Sequence, residues 1–219
     1  MQELKWSYSS LKNFIDCPRQ YHEVKVLKRF NKAPTKQTLY GNVVHRALED
    51  YVKDGTPLER NYERFKPMLD VFREMEGEKF PEHHMAVRYD LTPCSFGAKD
   101  YWARVIADLL VVDESDGFIV DYKTGSNRYA DPKQLQLMAL MAFAHFPDLE
   151  YIKAGLLFVA HNDFVTCEFQ RENLKELWED FHPPLKRLSL CMETGVWQEN
   201  PTPLCGWCPV STCDHYKDK

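Results

Sequence analysis

The stretch from Ile106 to Gly125 constrains this chain more than any other. Leu109 to Val112 and Phe118 to Val120 are apolar or β-branched runs, and Asp113-Glu114-Ser115-Asp116-Gly117 between them has turn composition, so the pattern predicts a β-hairpin. Folding at that turn sets Asp108 nearly opposite Asp121. On a strand of period two, Asp121 and Lys123 point to one face, so two carboxylates and an ammonium converge where the apolar flanks predict a buried sheet. Buried unpaired carboxylates are costly, and two close together imply a bound cation. The plainer alternative is a surface hairpin with an Asp121–Lys123 salt bridge.

Two helices are expected to flank this hairpin. Asp131-Pro132 reads as an N-cap and a first helical residue, and Leu135, Met138, Ala139, Ala142, Phe143 and Phe146 follow at helical spacing. Gln134 then falls in the first turn, where it either reaches a metal-held water or a phosphate at the mouth of the sheet or simply faces solvent. Upstream, Leu39, Val43, Val44, Ala47, Leu48 and Tyr51 mark an amphipathic helix, with His45 at the edge of the apolar stripe and Glu49 one turn on. A lone histidine there is usually structural, but a neutral imidazole readily completes a carboxylate metal site.

Cys205-Gly206-Trp207-Cys208-Pro209-Val210-Ser211-Thr212-Cys213 places three thiols in nine residues, a density that demands a metal or disulfides. The total of seven cysteines is odd and the opening Met-Gln-Glu-Leu-Lys is not an apolar signal segment, so a metal in a cytoplasmic protein is the expectation. Three local ligands need a fourth. Tetrathiolate ligation fits iron–sulfur or zinc, with His215 as a substitute ligand for zinc. Cys94, Cys167 and Cys191 are isolated and read as buried packing thiols.

Composition bounds the rest. With 219 residues, 44% hydrophobic, the chain fits a single domain spanning 1–219. No apolar run approaches the roughly 20 residues of a membrane span. A net charge of −5 argues against coating a polyanion by bulk electrostatics. Locally, however, Arg19, Lys25, Lys28, Arg29, Lys32 and Lys36 oppose Glu23 alone, and Tyr21 and Phe30 are interleaved as stacking surfaces. That pattern is either a nucleic-acid contact or an ordinary solvated face.

Taken in order, Ser7-Tyr8-Ser9-Ser10-Leu11, Cys17-Pro18-Arg19-Gln20-Tyr21, Gly41-Asn42-Val43-Val44-His45, Asp108, Asp121-Tyr122-Lys123-Thr124-Gly125 and Gln134 resemble the successive motifs of the RecB-like branch of the PD-(D/E)XK nucleases. Residues 55 to 100 carry none of the resemblance, and Met138 stands where the family often has a tyrosine. The resemblance implies an α/β fold with a mixed central sheet flanked by helices. Its order would be helix 38–53, strands near 85–90, 101–112 and 118–123, helix 132–145, strand 151–160 with a hairpin neighbour at 164–169, and a last long helix 171–193. Tyr62, Phe65, Leu69, Phe72 and Met75 add a helical stripe that either joins the core or lines the DNA path.

The resemblance also implies chemistry. His45, Asp108, Asp121 and the Tyr122 backbone carbonyl would hold magnesium or manganese, with Asp108, Asp121, Lys123 and Gln134 as the catalytic set. Cys17 would join Cys205, Cys208 and Cys213 around a [4Fe-4S] cluster that ties segment 1–37 to the tail 199–219. Arg19, Tyr21, Lys25, Lys28 and Arg29 would contact DNA, single-stranded or with free ends. The expected activity is a metal-dependent DNA exonuclease in recombination, repair or phage DNA metabolism, acting alone or as an oligomer, with a helicase or recombination protein as partner. The alternatives are a DNA-end-binding module of the same fold that no longer cuts, and a zinc-stapled interaction protein.

Overall fold

The computed structural model describes residues 4–31, 33–125, 131–161 and 163–217, which leaves Lys32 of the basic segment outside the described residues. Two compact units divide the chain: Thr35–Leu177, and the residues up to Pro34 together with those from Trp178 onward. No helix among the described residues is long and apolar enough to cross a membrane.

Unit Thr35–Leu177 is built on a six-stranded mixed sheet. Its strands are β1 (Glu78–Val87), β2 (Pro93–Cys94), β3 (Ala103–Asp113), β4 (Asp116–Lys123), β5 (Tyr151–Phe158) and β6 (Asp163–Gln170), in the order β2-β1-β3-β4-β5-β6. The predicted hairpin is β3–β4, paired from Leu109↔Val120 to Asp113↔Asp116. Its turn is tighter than the composition predicted. Glu114 and Ser115 alone make it, Glu114 at φ +50°, a left-handed conformation that costs a side chain about 1–2 kcal/mol. Gly117 lies inside β4 instead, opposite Val112, where a Cβ would meet Ile152 Cγ1 at 3.0 Å.

β4 runs parallel to β5, and α5 (Lys133–His145) lies in the crossover between them. Pairing of β1 with β3 starts at Glu78, several residues before the predicted strand; Glu78 to His84 includes Pro81 and five charged or histidine side chains, which do not read as a strand. Proline is tolerated there since β2 pairs β1 at Ala86 and Val87, well past Pro81, leaving that edge open.

Helix α3 (Lys36–Asp54) starts at Thr35, whose Oγ1 accepts from the Thr38 amide at 3.2 Å, and stops at Gly55, φ +79°. Its buried face is Gly41, Val44, Leu48, Tyr51 and Val52. Leu39 and Val43, predicted on the apolar stripe, lie on the opposite side and are more than half exposed. The inward position belongs to Gly41, where a Cβ would come within 3.0 Å of Thr124 Oγ1, so the missing side chain lets α3 approach the end of β4. Helix α4 (Lys66–Glu74) and the short turn before it bring Tyr62, Phe65, Leu69 and Phe72 against Leu48, Tyr51, Leu109, Val120 and Tyr122. That stripe is core, as such spacing usually is. Helix α5 is buried on every side from Leu135 to Phe143, a pattern that only an interior helix sustains.

The other unit holds α1 (Tyr8–Asp16), α2 (Pro18–Tyr21) and α7 (His182–Thr194), with α6 (Leu174–Glu179) at its border. Ser7 and Ser10 cap α1 reciprocally. Phe14, Tyr21 and Trp197 pack ring against ring, and Trp6 meets Phe181 at 5.4 Å. The single long helix predicted over 171–193 is broken between α6 and α7, because Pro183 and Pro184 lack amide protons and sit where α7 must restart. The tail runs back beside α1 and α2: Gln198 O accepts from the Arg19 amide at 3.1 Å and Asn200 Nδ2 donates to Asp16 O at 2.8 Å.

Candidate active site

Ladder pairing between β3 and β4 ends at Leu109↔Val120, and the next step of the register sets Asp108 opposite Asp121. There the Asp108 side chain replaces a strand carbonyl. Its Oδ2 accepts from the Tyr122 amide at 2.6 Å and stands 3.4 Å from His45 Nδ1 on α3. The Tyr122 ring, fully buried, meets His45 edge to face at 6.1 Å. Across the strand end, Asp121 Oδ1 accepts from Gln134 Nε2 at 2.7 Å, while Gln134 Oε1 accepts from Lys123 Nζ at 3.0 Å. Lys123 Nζ lies 2.5 Å from Asp121 Oδ2. Gln134 in the first turn of α5 thus closes a triangle with the two side chains that share one face of β4. Met138, one turn on, is fully buried.

These contacts fix the charge states. Burial, then the neighbouring Asp108 charge, pushes the Asp121 carboxyl up to about 6 against the pull of Lys123. Burial pulls the His45 imidazole down, but its hydrogen bond to Asp108 and the charges of Asp108 and Asp121 outweigh that and raise it. Glu49, given no role by the sequence pattern, is part of the site: one ligand atom each of His45, Glu49 and Asp108 lie within 4.8 Å of one another. Its carboxyl is pushed up to about 7 by burial and then by the charges of Asp108 and Glu82. Glu82 holds φ +48° and falls between the pairs Pro81↔Leu109 and His83↔Ala107 of the β1–β3 ladder. The signal for Glu49 was its four-residue spacing from His45.

A raised carboxyl pKa stabilises the fold fully below the unfolded value, and that contribution fades as pH climbs through the folded value. For Glu49 the window runs from about 4.5 to about 7. In metal-free protein, Glu49→Gln is therefore expected to gain stability relative to the parent chain between pH 5 and pH 7, read as the difference in melting temperature. A constant difference across that range contradicts the assignment.

The donor set suits a hard divalent cation. It combines an imidazole with carboxylates, and the buried Asp121 Oδ2 has the Lys123 ammonium at 2.5 Å as its partner.

The cysteines form a second locus, in the unit of the chain ends. Cys17, Cys205, Cys208 and Cys213 line one pocket together with His215. Cys17 caps α2, its Sγ 3.5 Å from the Gln20 amide, and Gln20 Nε2 donates to Cys208 Sγ at 3.3 Å. Burial raises the Cys213 thiol, and the nearby Cys17 and Cys208 add to it. Cys94, Cys167 and Cys191 are half-buried and apart from this pocket.

Of the expected DNA contacts, Lys25, Lys28 and Arg29 are exposed on and after a wide helical turn at His22–Val26, closed by Leu27 N–H to His22 O at 2.8 Å. Arg19 is held between Glu23 and Glu199 at 3.5 and 3.4 Å. Tyr21 is buried, its ring taken up by Phe14 and Trp197, so packing rather than base stacking occupies it.

The sequence model of the PD-(D/E)XK nuclease superfamily matches residues 5–105 and 58–213. No curated protein matches the chain. Among solved structures, SSO0001 is similar at 14% identity and a TM-score of 0.54, covering 100% of this chain and 89% of its own. A protein from Eubacterium rectale described as a "putative exonuclease" is similar at 15% identity and a TM-score of 0.53, covering 94% and 87%. At such identities these likenesses speak for the fold.

Proposed function

Since the chain belongs to the PD-(D/E)XK nuclease superfamily, we propose that it is a magnesium- or manganese-dependent deoxyribonuclease that degrades DNA from its ends. The observation that carries this reading is the junction of Asp108, Asp121, Lys123 and Gln134 where β3 and β4 part, with His45 alongside. In it His45, Asp108, Asp121 and the Tyr122 carbonyl hold the cation. When bound, the ion would supply an activated water and compensate charge on the scissile phosphate. Lys123 would donate to the attacking water or to the developing phosphate charge. Gln134 keeps Lys123 and Asp121 in register, and Asp108, by accepting from the Tyr122 amide, holds the end of β4 beside it.

We assign the four cysteines Cys17, Cys205, Cys208 and Cys213 to a [4Fe-4S] cluster that staples the tail to the N-terminal helices, zinc being the other occupant tetrathiolate ligation admits. Lys25, Lys28 and Arg29 are the phosphate contacts, with Arg19 supporting them from its ion pairs. The exonuclease habit draws on the fold shared with the Eubacterium rectale protein and gives the enzyme a place in DNA recombination or repair.

End-labelled linear DNA and covalently closed circles of the same sequence test the habit. Linear DNA is expected to be shortened with Mg²⁺ or Mn²⁺ while circles persist. Nicking of circles at a similar rate makes the enzyme an endonuclease, and binding of ends without cutting by the metal-loaded protein makes it an end-binding module.

A further inference from the structure

We propose that Arg104 is a phosphate receptor for the DNA strand in the site, holding it a few nucleotides from the bond that is cut. This rests on the nuclease reading above. Along β3 burial alternates: Ala103, Val105 and Ala107 are buried, whereas Arg104, Ile106 and Asp108 are not. With a period of two, these three side chains share one side of the sheet, and four residues of strand set Arg104 about 13 Å from Asp108. That distance is about four nucleotides along one strand of a duplex, and fewer along a stretched single strand. Between the two, Ile106 is 38% exposed in mid-strand, an apolar surface that a sugar–phosphate backbone crossing the sheet would cover.

The Arg104 guanidinium is held by rings rather than by a counter-charge. Its Cζ lies 4.9 Å from the Phe96 ring centroid and 4.8 Å from that of Tyr101. Phe96 also meets His84 at 4.5 Å, and His84 pairs with Ile106 across the β1–β3 ladder. The carboxylates of this region are engaged elsewhere, Glu82 with His84 at 3.7 Å and Asp100 with Arg88 at 2.6 Å, and none among the described residues forms an ion pair with Arg104. An arginine stacked on rings keeps its N–H edges for an acceptor, and a pair of phosphate oxygens matches that planar fork. The anion that reaches this side of the sheet, in line with Asp108, is the backbone of the substrate.

The test measures affinity of the full, anaerobically purified chain for a single-stranded DNA oligonucleotide against salt, with Ca²⁺ in place of Mg²⁺ and the DNA checked to be whole. Arg104→Gln is expected to weaken binding about tenfold and to flatten the slope of log affinity against log salt by about 0.7, one phosphate contact fewer. Arg104→Lys is expected to regain the slope and only part of the affinity, because an ammonium keeps the charge and loses the fork. A neutral methylphosphonate, moved one linkage at a time along labelled DNA, is expected to slow single-turnover cutting by the parent when it lies within about four nucleotides of the cut bond on one side, and to leave Arg104→Gln unaffected there. Equal slopes for Arg104→Gln and the parent, or equal methylphosphonate effects, overturn the proposal. If Arg104→Gln does not fold, Arg104→Lys decides in its place, and an affinity equal to the parent's overturns it. A parent chain that cuts DNA with none of these differences removes this inference and leaves the nuclease reading standing; one that neither binds nor cuts removes both.

Discussion

Asp121→Asn is expected to lower metal-dependent DNA cleavage by about a thousandfold or more, a loss of several kcal/mol of transition-state stabilisation at 1.36 kcal/mol per tenfold. Asparagine preserves the shape and the contact to Gln134, so what disappears is the charge that holds the cation and offsets Lys123. Gln134→Ala serves as the contrast. It removes a hydrogen bond to each of two groups that still face each other at 2.5 Å, and losing such a supporting residue costs about 10–100-fold. Single-turnover rates on end-labelled DNA measure both. Near-equal rates for Asp121→Asn and the parent chain contradict the site, as does a larger loss for Gln134→Ala.

The second large effect is structural. The described residues from Glu199 onward form little regular structure beyond one short turn at Pro203–Trp207, and apolar burial among them is slight, Val210 excepted. A structural metal centre contributes about 10–16 kcal/mol in small zinc domains, so a metal held by the four thiols would be enough to order a tail of this kind. Cys205→Ser is expected to release iron and free the tail from the Cys17 corner, breaking the Gln198–Arg19 and Asn200–Asp16 hydrogen bonds. Trp197 then loses its stacking on Tyr21 and His22, and its fluorescence shifts to the red. Limited proteolysis after residue 198 is expected to accelerate strongly, while the far-ultraviolet signal of the sheet persists. Unchanged iron content and unchanged proteolysis in Cys205→Ser contradict the staple.

The legible parts of the fold were those where one signal dominates locally. Alternation and turn residues located β3 and β4, and the register followed from strand period alone. Asp131 and Pro132 marked the start of α5 to within a residue: the helix begins at Lys133 after Pro132, and Asp131 Oδ1 accepts from the Lys133 amide at 3.1 Å. Less legible were features set by tertiary contact. The early start of β1 was hidden because Pro81 reads as a breaker unless the neighbouring edge is known to be open. The inward face of α3 is defined by Gly41, which periodicity counts as nothing, so Leu39 and Val43 were drawn onto a stripe they do not share. Tyr21 read as a stacking surface because its neighbours are basic, whereas Trp197, far along the chain, claims its ring. Glu49 was visible by spacing, but its part in the site depends on Asp108 arriving from β3.

The most direct measurement of the central claim is nucleotide release from end-labelled linear DNA by the anaerobically purified chain, with Mg²⁺ or Mn²⁺ and again with chelator. Release that requires the ion and disappears in Asp121→Asn is the predicted result. Folded, cluster-loaded protein that releases nothing with either ion contradicts it.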